Sequence, residues 1–368
     1  MRKTAFVNHE HCFWHDGGPC SVFAEPGGHV QPAGAAEHPE TKRRLRNLLE
    51  VTGLMDQLTL LKGELAEEQD LLRFHSQDYI ERLEAMSEAG YGQAGEFAPL
   101  RKDSYLIARR SAGQAITAME AVLTGQCDNA YALCRPPGHH AERDRGRGFC
   151  LLGNIPIAIM TMMARYDVKR VAVVDWDVHH GNGTQQAFWE RDDVLSISLH
   201  HDNNYPLNSG GVEERGEGPG YGFNINIPLP PGCGIGAYLH CLDEVVIPAL
   251  KRYRPDVIVV ASGYDASAMD PLGCMLLNSD TYAVMTERLL SVSDELCNGR
   301  LVIVHEGGYS EGYVPFCGHA VIQTLAGSHI RCDDPACDEI AQWGGQALQP
   351  HQASFVERIK GSLIELNN

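Results

Sequence analysis

The stretch from Val171 to Gly183 constrains this chain more than any other. Its first four residues, Val171 to Val174, are all apolar, the pattern of a strand buried on both faces as in parallel sheets. Polar chemistry begins immediately afterwards. Continued in extended form, the chain puts Asp175, Asp177 and His179 on one side and Val174, Trp176 and Val178 on the other. Two carboxylates and an imidazole therefore converge at the carboxyl end of a strand, which is where open α/β sheets bind ligands. Crowded together, such groups repel or lose hydration unless a cation or a hydrogen-bond shell compensates them. A divalent metal is the simplest compensation.

The second half of the chain repeats this rhythm. Strands are expected at Tyr131 to Cys134, Val194 to Leu199, Phe223 to Ile227, Val257 to Ala261 and Leu301 to Val304, with helices at Ile155 to Arg165, Ala237 to Tyr253 and Asp280 to Cys297. Strand alternating with helix predicts an α/β fold, a mostly parallel sheet covered by helices on both faces. In the first half, a short strand from Thr4 to Asn8 leads into a loop rich in Gly, Pro and His. A basic amphipathic helix follows, opened by Pro39 and closed near Gly53. Helical character returns from Glu67 to about Ala89, Gly90 to Pro99 reads as a loop, and Asp103-Ser104 is placed to cap a long helix to Leu123. From about Pro335 an irregular stretch leads to a final helix. No repeat or linker divides the 368 residues, so one domain spanning 1–368 is expected.

Composition excludes some functions. The formal net charge of −18 opposes binding to a phosphate backbone, and so to nucleic acid, while leaving cationic partners open. No apolar run reaches membrane-spanning length and the first residues lack a signal-peptide core, so no membrane association and a cytoplasmic location are expected. The 12 cysteines are scattered without a C-x-x-C pair and are read as thiols. His9, His11, Cys12, His15 and Cys20 match no usual zinc spacing and are read as a loop lining a pocket mouth.

Reactive side chains follow four of the strands. Arg135-Pro-Pro-Gly leads to the tandem His139-His140, Asp265 lies just beyond Val257 to Ala261, and Tyr309 lies beyond Gly307-Gly308. Taken singly, each has an ordinary explanation: a satisfied histidine pair, a helix-capping aspartate, a turn. Together they describe a site. If the strands are parallel, all four ends face one crevice. Asp177, His179 and Asp265 make an O,N,O ligand set with an open coordination position, as in catalytic zinc sites. Two imidazoles and a phenol beside it are the base, acid and carbonyl polariser that amide hydrolysis needs.

The segments Arg135-Pro-Pro-Gly-His-His-Ala, Gly148-Phe-Cys, Asp175-Trp-Asp-Val-His-His-Gly-Asn-Gly-Thr, Ser198-Leu-His, Asn226-Ile-Pro-Leu-Pro, Ser262-Gly-Tyr-Asp-Ala, Asp270-Pro-Leu-Gly and Glu306-Gly-Gly-Tyr resemble, in order, the motifs of the histone deacetylase superfamily. The resemblance covers about residues 130–320 and is nearest to class II enzymes and the bacterial histone deacetylase-like amidohydrolases. It implies the single-domain arginase–deacetylase fold with about eight strands, and zinc held by Asp177, His179 and Asp265. It implies that His139 steadies the attacking water and the transition state, that His140 is the general base and then acid, and that Asp175 and Asn182 bond to them respectively. Tyr309 would donate its hydroxyl to the substrate carbonyl. Gly148, Phe149, Tyr205, Leu272 and Gly307 would form a tunnel for an acylated lysine. At Tyr205 many relatives have Phe, and the extra hydroxyl either alters acyl or inhibitor preference or turns to water. A structural potassium ion is implied at Asp175, Asp177, His179, Ser198 and Leu199, and a second near Phe188, Arg191, Val194 and Phe223.

The implied substrates are acetylated lysine side chains of proteins or peptides. An acetylpolyamine amidohydrolase is the nearest alternative, with Glu96 as an acidic gatekeeper at the rim where Leu272 is not one. More distant alternatives are an aspartate-dependent phosphatase using Asp175-Trp-Asp177, against which His179-His180 stands; a non-catalytic acyl-lysine binder; and an arginase-like two-metal hydrolase, which needs more carboxylates. The loops Phe13 to Glu37 and Asp202 to Tyr221 are expected to shape the rim or a subunit contact, and a homodimer or homotetramer is expected.

Overall fold

The structure, a computed structural model, describes residues 1–18 and 26–362. The apolar runs form eight strands of one sheet: β1 (Thr4–Asn8), β2 (Thr59–Lys62), β5 (Asn129–Ala132), β6 (Val171–Asp175), β7 (Val194–His201), β8 (Asn224–Leu229), β9 (Val257–Ser262) and β10 (Leu301–His305). A separate hairpin is made by β3 (Tyr91–Gln93) and β4 (Pro99–Arg101). The sheet order is β2-β1-β5-β10-β9-β6-β7-β8, and every pairing in it is parallel. The four strands expected to carry reactive residues are the contiguous centre of the sheet, β5-β10-β9-β6. Their registers align their carboxyl ends: Val304 pairs with both Ala132 and Ala261, and Ala261 with Asp175.

Alternation along each strand divides the core into two layers. Ala172, Val174, Trp176 and Val178 pack on one face with residues of helices Glu40–Thr52, Ser279–Cys297 and Val314–Ala326. Val171 and Val173 pack on the other, under helices Gln77–Ala89, Ser104–Leu123 and Asn154–Arg165. Strands buried on both faces need apolar residues at every position, which is why β6 and β9 read as unbroken apolar runs. No described helix is long and apolar enough to cross a membrane.

Several expectations are corrected here. The strand placed at Tyr131 to Cys134 lies two residues earlier, so Cys134 already belongs to the following loop. The helical stretch from Glu67 is two helices, Glu68–Leu71 and Gln77–Ala89, because Ser76 starts a new one by accepting a hydrogen bond from Tyr79 N. The Gly90 to Pro99 stretch is not plain loop, since β3 and β4 pair across it. Asp103 does not cap its helix with its side chain; it sits at φ 67°, and Ser104 Oγ instead accepts from Arg101 N at 2.9 Å. The helix placed at Ala237 to Tyr253 contains a wider π turn, Leu242–Val246, just before Pro248, which has no N–H to donate to the preceding turn. The short edge strand β2, half exposed in alternation, carried no expectation.

Candidate active site

Beyond β6 the chain keeps its alternation, and Trp176 turns into the core to donate its indole N–H to Ser262 Oγ at 3.0 Å. Asp175, Asp177 and His179 face the other way, into the crevice above the central strands. His179 Nδ1 lies 3.2 Å from Asp177 Oδ1 and 3.1 Å from Asp265 Oδ2. All three residues are buried, and one ligand atom from each lies within 4.8 Å of the others. Backbone donors also hold these carboxylates: Gly307 N donates to Asp177 Oδ2 at 2.8 Å, Val178 N to Asp265 Oδ1 at 2.8 Å, and His179 N to Asp177 Oδ1 at 2.9 Å. These bonds fix the orientation of both carboxylates.

The donor chemistry suits a divalent cation. Asp175, Asp177, Asp265 and Glu306 are all buried within this one neighbourhood. Burial and the neighbouring Asp177 raise the Asp265 carboxyl, and burial likewise raises Glu306 to about 7. A cation among them relieves that cost, and an O,N,O set fits catalytic zinc.

The rings of His139 and His140 lie with centroids 3.9 Å apart, tilted by 41°, yet their environments differ. His139 Nδ1 bonds to Asp175 Oδ2 at 3.0 Å; His140 Nδ1 bonds to the neutral Asn182 Oδ1 at 2.8 Å. Burial opposes protonation of both. At His139 the carboxylates of Asp177 and Asp175 overcome it and raise the ring above its ordinary value. At His140 burial is reinforced by His139 and His179, and the ring is held well below it. The pairing expected from the sequence, Asp with one imidazole and Asn with the other, is the pairing observed.

A narrow cavity of about 100 Å³ descends to these rings, lined by Phe97, His140, Gly148, Phe149, His179, Asn204, Tyr205, Leu272 and Tyr309. Phe149 and Tyr309 meet edge to face at 5.7 Å, and Tyr205 stands edge-on to His140 at 5.0 Å. Gly148 has φ 50°, and a Cβ there would lie 2.4 Å from His140 Cδ2, so the wall is thin where the ring needs room. Phe149 also has positive φ, 66°, a strained conformation for a bulky residue. Its N–H donates to Phe97 O at 2.7 Å and Gly148 N–H donates to Glu96 O at 3.0 Å, so the β3–β4 hairpin loop holds this wall in place.

Of the expected site residues, Gly307 lies deeper than the tunnel, under the two carboxylates. The Tyr205 hydroxyl does not turn to water: its oxygen is buried, with the Arg147 guanidinium 5.8 Å from the ring centroid. Glu96, the acidic gatekeeper of the polyamine alternative, is ion-paired with Arg147 at 2.6 Å. At the two expected potassium sites, Ser198 Oγ bonds to His200 Nδ1 at 2.9 Å, and the Phe188 and Phe223 carbonyls accept from Arg191 N at 3.0 Å and Ser196 N at 2.9 Å. Among the described residues, His9, His11, Cys12 and His15 form no ligand cluster, and Cys20 lies outside them. The described cysteines are free thiols.

Other functional side chains were not anticipated. Phe97 and Asn204 enter from distant loops. Glu306 Oε2 accepts from Gly138 N at 2.6 Å and His139 N at 3.1 Å, which fixes the turn that presents the tandem histidines. Asp270 accepts from Tyr309 N at 2.7 Å and from Leu272 N at 2.9 Å, placing phenol and rim together. Both acids stand inside motifs already singled out, Glu306-Gly-Gly-Tyr and Asp270-Pro-Leu-Gly, and that position was the signal available.

A parallel sheet whose central carboxyl ends gather a buried Asp-His-Asp set, two imidazoles and a phenol holds the groups that hydrolysis of an amide needs. The chain belongs to the histone deacetylase family: residues 36–325 match the histone deacetylase domain. It is 51% identical to the histone deacetylase-like amidohydrolase of Pseudomonas aeruginosa over 368 residues, covering 99% of this chain and 95% of that protein. It is 38% identical to a probable deacetylase of Archaeoglobus fulgidus, covering 79% of this chain and 82% of that one. Among solved structures, the HDA15 HD domain superposes with a TM-score of 0.86 at 29% identity, over 99% of this chain and 96% of that one.

Proposed function

We propose that this protein is a zinc-dependent deacylase that removes acetyl or related acyl groups from the ε-amino group of lysine in proteins or peptides. The observation that carries the reading is that Asp177, His179 and Asp265 meet beneath a narrow cavity whose wall holds both His140 and Tyr309. In this proposal those three residues hold zinc, which when bound polarises the acyl carbonyl and makes water a stronger nucleophile. His140 Nε2 takes the proton of the attacking water and returns it to the departing lysine amine. His139, held by Asp175, donates to the developing tetrahedral centre. The Tyr309 hydroxyl donates to the carbonyl oxygen as it gains charge. Phe149 and Tyr205 flank the four-carbon stem and exclude water from it. Potassium is assigned to the Asp175, Asp177, His179, Ser198 and Leu199 segments, where a cation would offset the buried carboxylates, and a second ion to Phe188, Arg191, Val194 and Phe223.

Acyl-lysine is favoured over acylpolyamine because the rim presents Leu272, and because Glu96, the gatekeeper of the polyamine alternative, already has Arg147 as partner. The test is a panel on the zinc-loaded protein: acetyl-lysine and trifluoroacetyl-lysine peptides beside acetylputrescine and acetylspermidine, each with and without a hydroxamate chelator. Hydroxamate-sensitive turnover of the lysine peptides, several-fold above the polyamines, is expected. Turnover confined to the polyamines would replace this substrate assignment, and turnover of none would refute it.

Tyr309→Phe is expected to keep stoichiometric zinc and lose roughly a hundred- to a thousand-fold in kcat, as when an oxyanion donor is deleted. Near-normal kcat in that variant would contradict the role given to the phenol.

A further inference from the structure

The hydrogen bond between His140 and Asn182 leaves open which ring nitrogen carries the proton, because an amide presents an acceptor at one end and a donor at the other. The rest of the Asn182 environment decides it. Asn182 Nδ2 donates to Glu142 Oε1 at 2.9 Å and lies 3.3 Å from the His140 carbonyl oxygen. Both partners accept only. The amide is therefore locked with Oδ1 toward His140, so Nδ1 of the ring carries the hydrogen and Nε2 presents its lone pair to the cavity. Glu142 is in turn held by two cations: Arg145 Nε and Nη2 reach its two oxygens at 2.8 and 3.0 Å, and Arg147 Nη1 reaches Oε1 at 3.2 Å. On its outer side Asn182 borders an open polar surface cavity of about 690 Å³, shared with Gln185, Gln186 and Glu214. Without Glu142, water there offers the amide both a donor and an acceptor, and only the longer 3.3 Å contact with the His140 carbonyl still favours Oδ1 toward the ring.

We propose that Glu142 is a positioning residue that sets the tautomer of His140 through the Asn182 amide, keeping Nε2 unprotonated and available as the base. The inference rests on the reading of His140 as the general base. Glu142 itself borders neither the tunnel nor the ligand set.

The proposal is tested on the zinc-loaded enzyme with 15N-labelled histidine, the His140 ring signals being assigned by their loss in His140→Ala. In the wild type, His140 is expected in the Nδ1–H form. In Glu142→Leu a substantial fraction should move to the Nε2–H form, with kcat falling about ten- to a hundred-fold, the usual cost of losing such a partner, and KM changing less than about twofold. Glu142→Gln, whose side-chain oxygen still accepts from Asn182 Nδ2, should restore most of both. A fall in kcat with His140 still wholly Nδ1–H overturns the proposal. A tautomer change with kcat unaltered supports the control exerted by Glu142 and overturns the role of His140 as base.

A second measurement does not depend on Glu142→Leu folding. Asn182→Asp places a carboxylate against Glu142, and adding Glu142→Gln supplies it with a donor. Glu142→Gln should therefore raise activity in the Asn182→Asp background and lower it slightly in the wild type. An equal effect in both backgrounds overturns the proposal.

Discussion

Gly307→Ala is expected to strip the proposed Asp177–His179–Asp265 site of its metal, and the protein of turnover, while leaving the fold intact. The Gly307 N–H donates to Asp177 Oδ2 at 2.8 Å, so the backbone passes directly under the ligand set. A Cβ at this position would lie 2.3 Å from Asp265 Oδ2 and 2.6 Å from Asp177 Oδ2. Contacts that short force movement, and neither oxygen is the loose end of a flexible side chain: both carboxylates are buried and held by backbone N–H groups. Separating them breaks the ligand set. In the proposed zinc mechanism the metal would supply several kcal/mol of transition-state stabilisation, so turnover should fall about a thousand-fold or more. Zinc content by mass spectrometry, kcat/KM and the thermal midpoint measured together decide the matter. Gly312→Ala is the control, because a Cβ there meets nothing within 4 Å. A Gly307→Ala variant that binds one zinc and turns over within tenfold of wild type would show that the carboxylates are not held as described.

The second large effect is on stability. Glu37, Arg135 and Lys42 form a buried ion cluster: Arg135 Nε lies 3.0 Å from Glu37 Oε2 and Lys42 Nζ lies 3.2 Å from Glu37 Oε1. Arg135 also donates to the carbonyls of Cys12 and His15, at 3.2 and 2.9 Å, and to that of Glu37 at 3.1 Å. The cluster thus ties the N-terminal segment to the turn bearing His139 and His140. Glu37→Gln leaves two buried cations without a counter-charge and should destabilise the protein by about 3–5 kcal/mol. Burial would raise the Glu37 carboxyl, but Arg135 and Lys42 outweigh it and hold it down to about 2. A depressed carboxyl stabilises the fold above its unfolded value, about 4.3 for glutamate, and that stability is lost as pH falls toward 2. The difference between wild type and Glu37→Gln should therefore be full at pH 7 and shrink between about pH 4.3 and 2. Urea unfolding of both proteins across that range measures it; a gap that is small at pH 7, or that widens in acid, would contradict the cluster's role.

Lys42 shows where sequence reading stops. It stands beside Arg43 and Arg44, whose side chains are 34% and 52% exposed, in what reads as a basic helix face. It is nevertheless fully buried, on the same stripe as Leu45 and Leu49. The helical period was the signal for that, but nothing local names Glu37 as its partner. Phe97 is similar. Its stretch reads as loop because the strands flanking it are only three residues each, too short to show a period, and their pairing brings it to the tunnel.

What the sequence determined by itself was local in origin. Two-residue alternation past β6 separated Asp175, Asp177 and His179 from Val174, Trp176 and Val178, and unbroken apolar runs indicated a parallel sheet whose carboxyl ends bind ligands. Tertiary structure decided what depends on meetings between distant segments. Strand registers aligned Ala132, Val304, Ala261 and Asp175 so that four separate turns share one crevice. Loop packing gave Asn182 to Glu142, Glu96 to Arg147 and Tyr309 to Asp270. Side-chain period is a property of neighbouring residues, whereas the partner of a buried polar group is whichever donor or acceptor the completed fold brings within about 3 Å.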